Sequence, residues 1–167
     1  MNEDAKKTAL RMIPYGIYVL TARGADGTPS AATVNWVTQT SFSPPLVAIA
    51  VKADSGIYAA IQDSGVAVLN MLGKGQQGPA FAFFKPAEVG DGTLSGEPVS
   101  DAGNGAPVIE SAAAAVELKL NSTVAEGDHH VLLLEVTDAR VMKQPEGRAD
   151  AAILEMKELG EKVYYGG

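Results

Sequence analysis

Cysteine is absent from all 167 residues, which excludes disulfides, thiolate zinc sites and cysteine nucleophiles. Aromatic residues reach only 6%, and no apolar run approaches the roughly 20 residues of a membrane-spanning helix. Cations are scarce as well. The 13 Lys and Arg face 20 Asp and Glu, a net charge of −7, and no basic cluster offers a footprint for a nucleic acid. A small anionic ligand stays compatible where a few cations and backbone N–H groups converge. Met1–Met12 alternates polar and apolar residues without the charged-then-apolar order of a leader, so the expectation is a cytoplasmic protein that does not associate with membranes.

What is present is an ordinary globular composition, 46% hydrophobic, in a length that suits one domain over residues 1–167. Asn2–Met12 predicts a short amphipathic helix that Pro14 stops near Arg11. Tyr15–Ala22 is rich in β-formers, Asp26-Gly27 is a hairpin signal, and Thr28–Thr40 resumes an extended pattern. Leu46–Val51 is a short, wholly apolar run that reads as a strand covered on both faces. Asp54 or Ser55 caps a helix over Gly56–Asp63, Gly65 ends it, and Val66–Leu72 is the next strand. Gln76–Phe84 predicts a further helix, and Glu88–Gly105 a loop with short strands at most.

Val116, Leu118 and Leu120 alternate with Glu117 and Lys119, the pattern of a strand buried on one face. His130–Val141 is another strand and Gln144–Arg148 a polar linker. Ala149–Leu159 predicts a helix ending at Gly160, and Lys162–Tyr165 a short terminal strand. The sum is mainly β: an antiparallel barrel with a few short helices.

The unusual segment is Thr33–Pro45. Thr33, Thr38, Thr40 and Ser41, with Asn35, Gln39 and the only tryptophan, Trp36, fall within nine residues. Buried hydroxyls and amides need partners, so this is either a half-exposed edge strand with Trp36 packed inward or a wall of donors facing an oxygen-rich ligand. Lys52 closes the preceding strand and Ser55 opens a helix, a pair suited to an anion or simply to capping and solvation. His129 and His130 are the only histidines. Neighbours on a strand point to opposite faces, so they form no two-histidine metal clamp. Phe81–Pro86 gathers three phenylalanines beside Lys85, a cluster that suits core or subunit packing. Gly73–Gly78 lacks the GxGxxG spacing of a dinucleotide turn.

TVNWVTQTSFSPPLVAIAV at 33–51, KADS at 52–55, SGVAVLNML at 64–72 and GDHHVLLLEV at 127–136 together resemble the flavin reductase-like family, the FMN-binding split-barrel oxidoreductases. IPYGIYVLTA at 13–22 resembles its flavoredoxin and rubredoxin-linked branch. The resemblance spans about Met12 to Val141. It implies a Greek-key split barrel, usually a homodimer, with FMN against Thr33–Ser41: backbone of Asn35, Trp36 and Val37 at the ring edge, hydroxyls of Thr38 and Ser41 at the ribityl chain or phosphate. It further implies Lys52 and Ser55 at the phosphate and Phe84 and Lys85 flanking the flavin or nicotinamide, with Lys85 able to serve the phosphate. His129 would stand near the nicotinamide as a positioning or electrostatic aid, since hydride transfer needs no general base. One departure is Ile57, where the family often carries Thr.

The implied activity is NAD(P)H-dependent flavin reduction, with electrons passing to a redox protein, a monooxygenase or free flavin. Two rivals stand beside it: a non-catalytic FMN- or haem-binding barrel acting as carrier or sensor, and a plain structural barrel.

Overall fold

The computed structural model describes residues Met1–Gly167. Eleven strands and three α-helices follow in chain order: α1 (Glu3–Arg11), β1 (Tyr18–Arg23), β2 (Pro29–Val34), β3 (Val37–Phe42), β4 (Pro45–Lys52), α2 (Gly56–Ser64), β5 (Val66–Met71), α3 (Gln77–Ala82), β6 (Val89–Gly90), β7 (Thr93–Leu94), β8 (Glu97–Asp101), β9 (Pro107–Ile109), β10 (Ala114–Val124) and β11 (His129–Val141). Seven strands form one antiparallel sheet in the order β2-β1-β5-β10-β11-β4-β3, and β6 to β9 form a small second sheet. The fold is the mainly β, antiparallel split barrel with few helices. No helix is long and apolar enough to cross a membrane.

The two edges of the large sheet, β2 and β3, are consecutive in the chain. Thr28–Thr40 is therefore not one strand: Asn35-Trp36 carries the chain from one sheet edge to the other, where Ala50 N already donates to the Trp36 carbonyl at 3.0 Å. This crossing is the split of the barrel.

Inside, Leu20, Ile49, Leu69, Leu118, Leu132 and Leu134 form a core that α2 plugs with Ile57 and Ile61. Ser55 caps α2, its Oγ accepting from Tyr58 N at 3.3 Å, and Gly65 ends it at φ 71°, a conformation that suits glycine. A second core on the far side of β1 joins Ile17, Val19, Leu72, Phe83, Leu94 and Leu154. Asn70 fastens the small sheet to the large one: Nδ2 donates to Val19 O at 3.0 Å, and Oδ1 accepts from Ile109 N at 2.9 Å.

Several expectations are corrected here. Glu117 lies on the strand face expected to be outward, yet it is only 5% exposed. Its carboxylate accepts from Gly103 N, Asn104 N and Arg140 Nη2 at 3.0, 2.8 and 3.0 Å, because the β8–β9 loop folds over it. Ala149–Leu159 is not a helix but two short 3-10 turns, Ala149–Ala151 and Met156–Leu159, around an extended stretch. That stretch is drawn out by pairing: Leu154 N donates to Leu72 O and Leu154 O accepts from Ile17 N, both at 2.8 Å. Lys162–Tyr165 finds no ladder partner and forms no strand. Gln76–Phe84 shrinks to the six residues of α3, whereas Glu88–Gly105 carries short strands as expected, β6, β7 and β8 of the small sheet.

Candidate functional site

The barrel's split opens into a cavity of about 440 Å³. One wall is the end of β2 with Thr33 and Asn35, the facing wall the end of β4 with Lys52, then Ser55 and Ile57 at the start of α2. β11 contributes His129, which lies directly across the ladder from Lys52, so both side chains share a face. The KADS and GDH turns are thereby neighbours, joined by Ala53 N donating to Asp128 O at 3.0 Å. Phe83 and Phe84 close one side, and Met156, Val163, Tyr164 and Tyr165 another.

At one end sits an anion-ready corner. Ser55 Oγ donates to Lys52 O at 2.7 Å while capping α2, and the first N–H groups of that nine-residue helix have no intrahelical acceptor. Lys52 Nζ pairs with Asp54 at 3.1 Å on the surface. Beside this corner, across the ladder from Lys52, His129 is held from both ring nitrogens. Asp128 Oδ1 lies 2.9 Å from Nδ1 and the Tyr165 hydroxyl 2.6 Å from Nε2. An ionised Asp128 accepts only, so this network assigns the proton to Nδ1 and makes Tyr165 the donor to Nε2.

The hydrogen bond from His129 holds the Asp128 carboxyl below its ordinary value, and burial raises the Tyr165 phenol. Asp128 and Asp54 add to that rise and Lys52 opposes it. His130 points away, as strand alternation requires, and meets Tyr58 Oη at 2.8 Å.

The structure thus brings together Thr33, Asn35, Lys52, Ser55, Phe84 and His129 around one cavity. Trp36 packs beside it, its ring centroid 4.8 Å from that of His129. Other residues of the hydroxyl-rich ribbon lie elsewhere. Val37 and Thr38 line an adjoining apolar groove with Trp36, Ile13, Pro14 and Val131, which shares Ala50 with the cavity. Ser41 sits further along β3, outside the cavity. Thr33 Oγ1 fastens α3 by donating to Ala80 O at 2.6 Å. Lys85 is outside as well, paired with Glu88 at 3.1 Å. Sequence reasoning passed over Met156, Val163, Tyr164 and Tyr165. Their one signal is an aromatic pair followed by glycines in KVYYGG, which β-propensity alone turns into a strand.

The geometry is that of an antiparallel split barrel with an apolar cleft, where a hydroxyl-capped helix start and a fixed imidazole stand side by side, polar groups grouped against apolar walls as in a small-molecule site. Residues 10–157 match the family model described as flavin reductase like domain, and the chain belongs to that family.

Among relatives, it is 31% identical over 144 residues to diflavin flavoprotein A 1 of Synechocystis sp., covering 86% of this chain and 25% of that protein. The chain therefore spans about a quarter of the length of that relative. It is 28% identical over 141 residues to the FMN reductase (NADH) RutF of Pseudomonas syringae pv. syringae, covering 84% of this chain and 78% of the relative. The solved NADH:FAD oxidoreductase SgcE6 of Streptomyces globisporus superposes with a TM-score of 0.68 at 29% identity, over 77% of this chain and 71% of that one.

The donor set fits a flavin mononucleotide. Broad apolar walls suit an isoalloxazine ring, and the hydroxyl-capped helix start beside Lys52 suits a phosphate. Trp36 Nε1 is buried without any hydrogen-bond partner beneath Gly166, a donor with nothing to serve in the protein itself.

Proposed function

We propose that this chain is an oxidoreductase that uses NAD(P)H to reduce a flavin, FMN in the first instance, and passes the electrons to a partner redox protein, a monooxygenase or free flavin. The observation that carries it is the single cavity in which the Lys52–Ser55 corner and the neighbouring His129 face apolar walls. Family membership and relatives named as an FMN reductase (NADH) and an NADH:FAD oxidoreductase support the same reading.

The bound flavin supplies the hydride-accepting and electron-relaying chemistry. Ser55 and the start of α2 hold the phosphate, and Lys52 turns from Asp54 to neutralise it. Asn35 and Trp36 offer N–H donors at the ring edge, where negative charge develops on reduction. His129, held by Asp128, orients the nicotinamide. Lys85, already paired with Glu88, has no part in this arrangement, and Val37, Thr38 and Ser41 serve the strand rather than the ligand.

Residues 1–167 act as a single domain, and two copies pair through the outer face of β3, β4 and β11. There Val37, Ala48, Ala50 and Val131 form an apolar groove, and Phe42 further along β3 is 91% exposed. The test is anaerobic: FMN-loaded protein that bleaches on addition of NADH supports the reductase. Yellow protein that does not bleach makes the chain a flavin binder with another donor, and failure to bind FMN refutes both.

A further inference from the structure

We propose that Val163–Gly167 is a displaceable strap, with Tyr165 holding the place of a nicotinamide ring against Trp36 and His129 until the dinucleotide lifts it. This rests on the flavin and nicotinamide assignment of the cavity made above.

The strap engages Asn35 and His129, which face the cavity, and Trp36 beside them. Tyr165 packs its ring 5.5 Å from that of Trp36 and 5.6 Å from that of His129, centroid to centroid. Its hydroxyl donates to His129 Nε2 at 2.6 Å, and its carbonyl accepts from Asn35 Nδ2 at 3.1 Å. A planar ring carrying one polar group in this position is what a nicotinamide carboxamide would present. Gly166 lies over the indole, where a Cβ would sit 3.6 Å from Trp36 Nε1, yet the strap gives that N–H no acceptor. A permanent wall would satisfy this donor, whereas a temporary one leaves it for the ligand.

The strap is also lightly tied. Its only backbone-to-backbone hydrogen bond is local, from Val163 N to Gly160 O at 3.1 Å, and no strand pairs with it. The outer tether is Arg11, whose Nε donates to Gly166 O at 3.3 Å and whose guanidinium lies 4.1 Å over the Tyr164 ring. Arg11 itself belongs to α1, which buries no residue. Few buried contacts and a surface anchor are the marks of a segment that opens locally. Met156, Val163, Tyr164 and Tyr165 line both the 440 Å³ cavity and a neighbouring one of about 290 Å³, so the strap is the partition between them. Lifting it joins the two into one cleft and frees His129, Asn35 and Trp36 together. Strap and nicotinamide are mutually exclusive, and the apparent nicotinamide affinity is reduced by the closed fraction.

Trp36 is the only tryptophan, so its fluorescence reports the strap in flavin-free protein. Arg11→Ala cuts the outer tether at a distance from the flavin-facing wall, and Tyr165→Phe removes the hydroxyl while keeping the ring. Acrylamide quenching of Trp36 is expected to rise about twofold in either variant as the open fraction grows. Oxidised NAD is expected to bind the FMN-loaded Arg11→Ala protein about fivefold tighter, the factor one lost tether contributes to an opening equilibrium, with FMN affinity unchanged. Unaltered quenching in both variants, with unaltered NAD affinity, overturns the strap. Failure of the wild-type protein to bind FMN overturns the cavity assignment instead. The quenching comparison needs no flavin and then decides on the strap alone: a rise sustains it, and no change ends it.

Discussion

Replacing Ser55 separates two jobs held by one hydroxyl. Its Oγ accepts from Tyr58 N and so caps α2, and it faces the cavity beside Lys52, where a phosphate is assigned. Ser55→Ala removes both functions. The lost cap lowers stability by about 1 kcal/mol. The hydroxyl's single proton donates to Lys52 O at 2.7 Å, so it serves a phosphate by exchanging that bond for a charge-assisted one, a net gain of about 1 kcal/mol whose loss weakens FMN binding roughly fivefold. Ser55→Asp is the discriminating variant. Aspartate caps as well as serine, and its charge at the helix start adds a few tenths of a kcal/mol. The same charge meets a phosphate of about −2 and repels it. Ser55→Asp should therefore fold with an unchanged or slightly raised urea midpoint and lose FMN affinity at least as severely as Ser55→Ala. Flavin fluorescence titration and denaturation on the same preparations provide the two readouts. A Ser55→Asp protein that binds FMN as the wild type does would falsify the phosphate corner, whatever its stability.

Three further expectations follow from particular contacts. Glu117→Ala strands the Gly103 and Asn104 N–H groups and frees Arg140, which is partly solvated, so the loss in urea denaturation should be about 3 kcal/mol; a loss below about 1 kcal/mol contradicts the buried network. His129→Ala should lower NADH-dependent flavin reduction far more than FMN affinity, and the opposite pattern in paired titration and stopped-flow data reverses its assigned place.

The third concerns acid. The hydrogen bond from Lys157 lowers Glu155. Burial acts to raise Glu158, but Lys74 and the Glu155 N–H outweigh it, so that carboxyl is lowered as well. Depressed carboxyls contribute stability that is full above their unfolded values near 4.3 and fades as pH falls through the lower folded ones. The melting temperature should fall from about pH 5 to about pH 3, and less steeply in Lys74→Met. Equal slopes for the two proteins would remove Lys74 from the explanation. Lys74 itself is raised, first by its hydrogen bond to Glu158, so its share is lost only in alkali above its ordinary range.

Much of the barrel was legible locally. The Asp26-Gly27 turn announced the β1–β2 hairpin, the apolar runs announced β4 and β5, and Ser55 with Gly65 bracketed α2 closely. What failed were segments whose conformation is set by distant partners. Asn35-Trp36 looks extended in any window, and nothing nearby says that the chain changes sheet edges there. AAILEMKEL has good helix propensity, but ladder-like bonds from Leu154 to Leu72 and Ile17 override it.

The site shows the same division. Lys52 and Ser55 drew notice because they end and begin regular elements, and His129 through the GDH segment of the family resemblance; all three line the candidate cavity. The hydroxyl ribbon was only half informative: Thr33 and Asn35 reach the cavity, while Thr38, Thr40 and Ser41 follow β3 away from it. Tyr165 stayed hidden because its role lies in contacts with Asn35, Trp36 and His129, more than thirty residues distant.

The most direct measurement is a crystal structure of the protein soaked with FMN. Density for the phosphate at Ser55 and the start of α2, with the ring running along the split toward His129, is the result this account predicts. Flavin density at another surface, or a saturated soak that leaves the split empty, contradicts it.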